Sequence, residues 1–217
     1  MLAIFDLDET LLAGDSEHLW CEFLIEQGLV DGSYYKTNND RFYQDYQKGC
    51  LDIDAFLRFS LKPLTQFSLS HLNALRKDYL EQKIEPIILP EARKRIEYHR
   101  QQGHTLLIIT ATNRFITGPI AAMLGISQLL ATEPELGPNG YSGHIIGEPC
   151  FQEGKVVNLL KWLNSNPHSM DSSWFYSDSY NDLPLLQKVR HPVVVDADDK
   201  LYEHAVAHNW ERISLRS

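Results

Sequence analysis

Apolar residues follow two rhythms along the chain. Leu2–Phe5 and Leu106–Ile109 are short, fully apolar runs, the signature of strands buried on both faces. Gln128–Thr132, Ser173–Ser177, Pro192–Asp196 and Arg212–Leu215 read as further strands, and the glycine-rich stretch Gly137–Gly147 as a hairpin. Helical patterns alternate with them: Pro90–Gln102, ended by Gly103; the stretch after Thr110 to about Leu124; Gln152–Leu163; Asp182–Val189; and Lys200–His208. Between the first two strands the rhythm changes. Asp15 or Ser16 is a good N-cap for a helix running to about Gly28, and the spacing stays helical to about residue 83. Leu51, Ile53, Phe56, Leu57 and Phe59 crowd one helix there, and Leu72, Leu75 and Leu80 mark another.

Apolar strands alternating with helices predict a parallel sheet covered on both faces and joined by right-handed crossovers. About 70 helical residues between strands one and two are too many for a plain crossover. The expected architecture is therefore α/β: a doubly wound, mostly parallel, Rossmann-like core with an inserted all-helical cap domain. Residues 1–13 and 84–217 form the core in this reading, and residues 14–83 the cap.

Composition narrows the partners. The chain has 217 residues, 20 Lys and Arg against 29 Asp and Glu, and a net charge of −9. That balance argues against a broad nucleic-acid surface or a patch for anionic membranes. No apolar run reaches the length of a bilayer span, and the N-terminus lacks a secretory signal pattern. Cys21, Cys50 and Cys150 are too few and too far apart to suggest a disulfide framework or a zinc site. A cytoplasmic location is the default expectation; oligomeric state is not encoded in any of these features.

Candidate chemistry gathers where parallel strands end, the usual ligand-binding edge of such sheets. The first strand runs into Asp6 and Asp8, two residues apart and so on the same side of the pleat. The second reaches Thr110, Lys155 starts a later helix, and Asp178 and Asp182 follow the strand at Ser173–Ser177. Four carboxylates meeting one ammonium would repel one another, and a hard divalent cation such as Mg2+ relieves that. One carboxylate can act as nucleophile and the other as general acid and base. A carboxylate nucleophile with a metal and a lysine suits phosphoryl transfer.

The stretches FDLDETLL, LLIITAT, EGK and YSDSYNDLPLL, in this order and spacing, resemble the four motifs of the haloacid dehalogenase superfamily. The helical insertion resembles the cap of the phosphoserine phosphatase-like branch. The resemblance implies that Asp6 becomes an aspartyl-phosphate and that Asp8 protonates the leaving oxygen, then activates water. It implies magnesium on the Asp6 carboxylate, the Asp8 main-chain carbonyl and Asp178. Asp182 would orient a metal-bound water or Lys155, while Thr110 and Lys155 bind the phosphoryl oxygens. The implied activity is hydrolysis of a small phosphomonoester resembling phosphoserine or histidinol phosphate. A phosphotransferase using the same intermediate, or a non-catalytic phospholigand-binding protein of the same fold, are the alternatives.

Two cap positions depart from the phosphoserine-specific pattern. Asp15 stands nine residues after the nucleophile, where those enzymes carry a glutamate. Ser60 stands where they carry a carboxylate-binding arginine, flanked by Arg58 and Lys62 as possible substitutes. Asp15 and Arg58 are thus the candidate substrate residues. The aromatic run Tyr34, Tyr35, Phe42, Tyr43 and Tyr46, and the pair Trp20 and Phe23, read first as cap packing. His204 and His208 have the spacing of a helical metal pair but no evident third ligand.

Overall fold

The computed structural model describes residues 1–216. Seven strands form one sheet: β1 (Leu2–Phe5), β2 (Thr105–Asn113), β3 (Gln128–Gly137), β4 (Gly140–Ile146), β5 (Ser173–Ser177), β6 (His191–Val195) and β7 (Glu211–Ile213), in the order β4-β3-β2-β1-β5-β6-β7. All neighbours are parallel except β3 and β4, an antiparallel hairpin at one edge. β1 is central and wholly buried, which explains its unbroken apolar run. Its side chains alternate between two cores. Ala3 and Phe5 pack toward α5 (Pro90–Gln101), α6 (Arg114–Met123) and the insert. Leu2 and Ile4 pack toward α7 (Glu153–Leu163), α8 (Leu183–Leu186) and α9 (Asp199–Ala207).

The insert between β1 and β2 carries four helices, α1 (Ser16–Glu26), α2 (Gly32–Lys48), α3 (Ile53–Ser60) and α4 (Leu69–Tyr79), the first to fourth insert helices. Asp15 caps the first, accepting from the His18 N–H at 2.8 Å. A π turn (Leu80–Ile84) and a 3-10 turn (Glu85–Ile87) lead back to the sheet. Both ends of the insert meet at one place. Leu12 pairs with Ile88, Ala13 N–H donates to Ile87 O at 2.8 Å, and Leu89 N–H to Leu11 O at 3.2 Å.

Three elements differ from the expected boundaries. β2 does not stop at Thr110; the backbone stays extended to Asn113 through an irregularity in its pairing with β3, and the Thr132 hydroxyl donates to Ala111 O at 2.7 Å. Asn113, not Thr110, therefore caps α6, accepting from Ile116 N–H. β3 is one ten-residue strand that serves both β2 and β4, so the hairpin begins well before Gly137. The helix expected over Asp182–Val189 is only α8, preceded by a 3-10 turn at Tyr180–Asp182. Among the described residues, no helix is long and apolar enough to cross a membrane.

Candidate active site

The carboxyl ends of β1, β2 and β5 open into a cavity of about 380 Å3, closed from above by the insert. Its floor is built on β1. Asp6 extends the strand, its N–H held by Tyr176 O at 2.9 Å, and the residue is 3% exposed. Lys155, from the first turn of α7, donates to Asp6 Oδ1 at 2.8 Å and to Asp182 Oδ2 at 2.8 Å. Gly154 makes that approach possible: a Cβ there would lie 2.0 Å from Pro149 O, so any side chain would push the helix start away. Ser177 donates its hydroxyl to Asp182 Oδ2 at 2.7 Å, which fixes the carboxylate bonded to the lysine.

One ammonium thus faces two buried carboxylates. Burial acts to lower the Lys155 pKa, but the charges of Asp182 and Asp6 outweigh it and hold the ammonium well above its usual range. Burial, only partly offset by Lys155 and reinforced by Asp182 and Asp8, pushes Asp6 up to about 7. Asp178 is raised well above the carboxylate range by burial and by the charge of Asp6. Thr10 and Asp178 clasp each other: the Thr10 hydroxyl donates to Asp178 Oδ1 at 2.7 Å, and Asp178 N–H donates to Thr10 Oγ1 at 3.1 Å.

Asp8 lies on the same side as Asp6, and three donors hold it. Ser16 N–H, at the start of the first insert helix, reaches Oδ1 at 2.7 Å. The Thr112 and Thr110 hydroxyls reach Oδ2 at 2.8 and 3.3 Å. The insert therefore helps to aim a carboxylate of the core. Thr112 escaped the sequence reading, although Thr110 and Thr112 are two apart on an extended strand and so share a side.

The structure thus brings Asp6, Asp8, Asp178 and Thr110 together on the cavity wall, with Lys155 and Asp182 directly behind Asp6. Asp15 also lines the cavity, its carboxyl raised well above the usual range by burial and by Asp8. Arg58 does not: it is exposed on the third insert helix, as is Lys62 just beyond, because the apolar face of that helix turns Leu57 and Phe59 inward. The structure thus does not bring Arg58 to the cavity with the other candidate residues. Trp20 and Phe23 pack against each other and Tyr79, and Tyr34 and Tyr35 against Phe59. Tyr43 and Tyr46 do reach the cavity: Tyr43 donates to Glu9 at 3.2 Å, and burial among Asp6, Asp182 and Asp178 raises the Tyr46 phenol well above its usual range. His204 and His208 stack on one another, 4.0 Å between ring centres.

Glu17 is a further residue that sequence reasoning missed. It is 6% exposed, and both its oxygens accept from Asn113 Nδ2, at 2.8 and 3.1 Å. Burial, against the bonds from Asn113, pushes its carboxyl up to about 7. The signal was present: positions 17, 20, 21 and 24 form one helical stripe, three of them apolar and the fourth an acid.

The donor set fits a magnesium ion. Asp178 is a carboxylate without a cationic partner beside a second one, Asp6, that a single lysine leaves incompletely neutralised. Among the described residues no three acidic, histidine or cysteine side chains form a closed cage. Magnesium does not ask for one, since it keeps several waters and binds through one or two carboxylates and substrate oxygens.

Residues 3–187 match the family model described as haloacid dehalogenase-like hydrolase. The chain belongs to this family. It is 42% identical to a histidinol-phosphatase of Neisseria meningitidis, over 99% of each chain. A crystal structure of a protein of unknown function from Bordetella pertussis superposes with a TM-score of 0.92 at 37% identity, covering 99% of this chain and 98% of that one. A phospho-aspartyl intermediate analogue of phosphoserine phosphatase shares the fold, with a TM-score of 0.72 at 15% identity, covering 100% of this chain and 93% of that one.

Proposed function

We propose that this phosphatase hydrolyses a small phosphomonoester through an aspartyl-phosphate on Asp6, with magnesium as cofactor. The observation that carries the reading is the buried Asp6 carboxylate, gripped by Lys155 at the cavity floor, with Asp8 aimed into the same space by three donors. A carboxylate Oδ of Asp6 attacks phosphorus, the bond to the leaving oxygen breaks, and Asp8 gives that oxygen its proton. Asp8, now ionised, takes a proton from water as the water oxygen attacks phosphorus, and Asp6 is released. Thr110 and Lys155 supply hydrogen bonds and charge to the phosphoryl oxygens, and the contacts of Asp182 favour a role in orienting Lys155. Magnesium, held by Asp6, Asp178 and the Asp8 main-chain carbonyl, would neutralise charge on the transferring phosphoryl group.

In this reading residues 14–83 act as a cap on a core of residues 1–13 and 84–217, and the Leu12–Ile88 bridge marks their junction. The substrate is best sought among phosphorylated amino alcohols such as histidinol phosphate. The full-length Neisseria relative bears the name of that activity, and neither Arg58 nor Lys62 stands ready for a substrate carboxylate. A small metabolite as substrate accords with a cytoplasmic location.

The test is phosphate release from histidinol phosphate, phosphoserine, sugar phosphates and an aryl phosphate, with magnesium and after chelation. Turnover that chelator abolishes and magnesium restores is the expected result. Silence across the panel would sink the reading. A competing alcohol that captured the phosphoryl group in preference to water would replace hydrolysis by phosphotransfer.

A further inference from the structure

A second void lies inside the insert, with a volume of about 10 Å3, room for roughly one water. Glu17, Asn39 and Phe56 line both this void and the substrate cavity, so they form the partition between the two. On the far side stand Trp20, Tyr35 and Ser60, only 2%, 5% and 8% exposed. Trp20 Nε1, Tyr35 Oη and Ser60 Oγ have no hydrogen-bond partner. A buried polar group without a partner is costly, so three around one void call for a bound group. Trp20 Nε1 can only donate, an ionised Glu17 can only accept, and the two hydroxyls do either. One water answers this mixed set; an apolar occupant leaves every atom unpaired, and a bare cation leaves the indole unpaired.

The opposite flank of Glu17 is fixed by Asn113. Its carboxylate is thereby set on the wall of the substrate cavity, alongside Asp15 and Glu9. Among the described residues the basic side chains on that wall are His18 and Arg216, and Arg216 is paired with Glu9. Carboxyl groups therefore outnumber basic groups around the leaving group.

We propose that Glu17, anchored by Asn113 on one side and by a water held among Trp20, Tyr35 and Ser60 on the other, selects a leaving alcohol that carries a cationic N–H group, ammonium or imidazolium. This assignment rests on the phosphomonoesterase reading and adds to it the residue that reads the alcohol. A carboxylate-bearing alcohol meets repulsion at the same wall.

The experiment compares kcat/KM of the full chain for histidinol phosphate and for 4-nitrophenyl phosphate, whose leaving group carries no cation. Glu17→Gln keeps the shape and removes the charge. It is expected to lower the ratio of the two constants about 10- to 100-fold, the worth of a hydrogen bond to a charged group. Tyr35→Phe and Ser60→Ala, which loosen the water, are expected to lower it about 2- to 10-fold. A ratio unchanged in Glu17→Gln would overturn the inference while leaving the phosphatase reading intact. So would a wild-type protein that favours phosphoserine over histidinol phosphate. Failure of the wild type with every substrate would overturn the phosphatase reading, and this inference with it.

Discussion

On the sheet side of the cavity, Lys155 bonds Asp6 and Asp182, Ser177 bonds Asp182, and Thr10 bonds Asp178. On the helical side, Trp20, Tyr35 and Ser60 keep buried polar atoms without partners, and Glu17 is a buried acid held by the main-chain and side-chain N–H groups of Asn113. The first wall closes its hydrogen bonds internally, before any ligand arrives, as fixed charge stabilisation of a transition state requires. The second leaves polar capacity open, as recognition of a particular alcohol requires. In the proposed reading the chemistry leans on the first wall and selection on the second, with the Ser16 N–H on Asp8 as the contact they share, and a mutation on one should show a different signature from a mutation on the other.

The sharpest break comes from Asp6→Asn. It removes the attacking oxygen's charge and is expected to lower kcat on the order of 10^4-fold or more, with an unchanged far-ultraviolet circular dichroism spectrum. Residual phosphate release near the wild-type rate would end the covalent mechanism. Lys155→Met comes next. It leaves Asp6 and Asp182 buried without their cation, and urea unfolding should show a loss of about 3–5 kcal/mol. Gly154→Ala places a methyl against Pro149 O, and should cost about 1–3 kcal/mol and lower kcat by displacing Lys155.

The helical wall predicts the opposite sign. The Glu17 carboxyl lies near 7 in the folded state against 4.5 for the free group, so the native state holds its proton more tightly. That contribution to stability is complete below about pH 4.5 and is lost as pH rises through about 7. Glu17→Gln escapes the loss. It should equal the wild type in stability near pH 4 and exceed it at pH 8 by about 1–3 kcal/mol, read by thermal unfolding at both pH values. A variant that is less stable at pH 8 would show that the acid is not strained by its burial.

The two walls also differ in how much of them the chain's pattern reveals. Asp6, Asp8, Lys155 and Asp178 stand in short contiguous stretches at strand ends or a helix start, where local sequence dictates local geometry. The parallel sheet was legible for the same reason, since β1 and the middle of β2 are unbroken apolar runs. Thr112 was hidden by a boundary: extending β2 past Thr110 depends on pairing with β3, through the distant partners Asn113 and Thr132. Glu17 was hidden differently. Its helix was predicted, but which face docks on Asn113, 96 residues along, depends on tertiary packing. Arg58 was named from the resemblance, as a neighbour of Ser60, and a position in a motif does not say which way its helix is laid, here with Arg58 outward.

The closure of the insert at Leu12 and Ile88 has an evolutionary corollary. The chain leaves the sheet and returns to it through one doorway, the Leu12–Ile88 bridge with the backbone hydrogen bonds that flank it. A segment that begins and ends at the same point behaves as a cassette: lengthening, shortening or exchanging it does not alter the strand register that carries Asp6. Grafting the corresponding segment of a relative between these two residues should transplant that relative's preference for its alcohol, and the phosphoryl chemistry of the core should persist where the graft keeps an N–H in the place of Ser16.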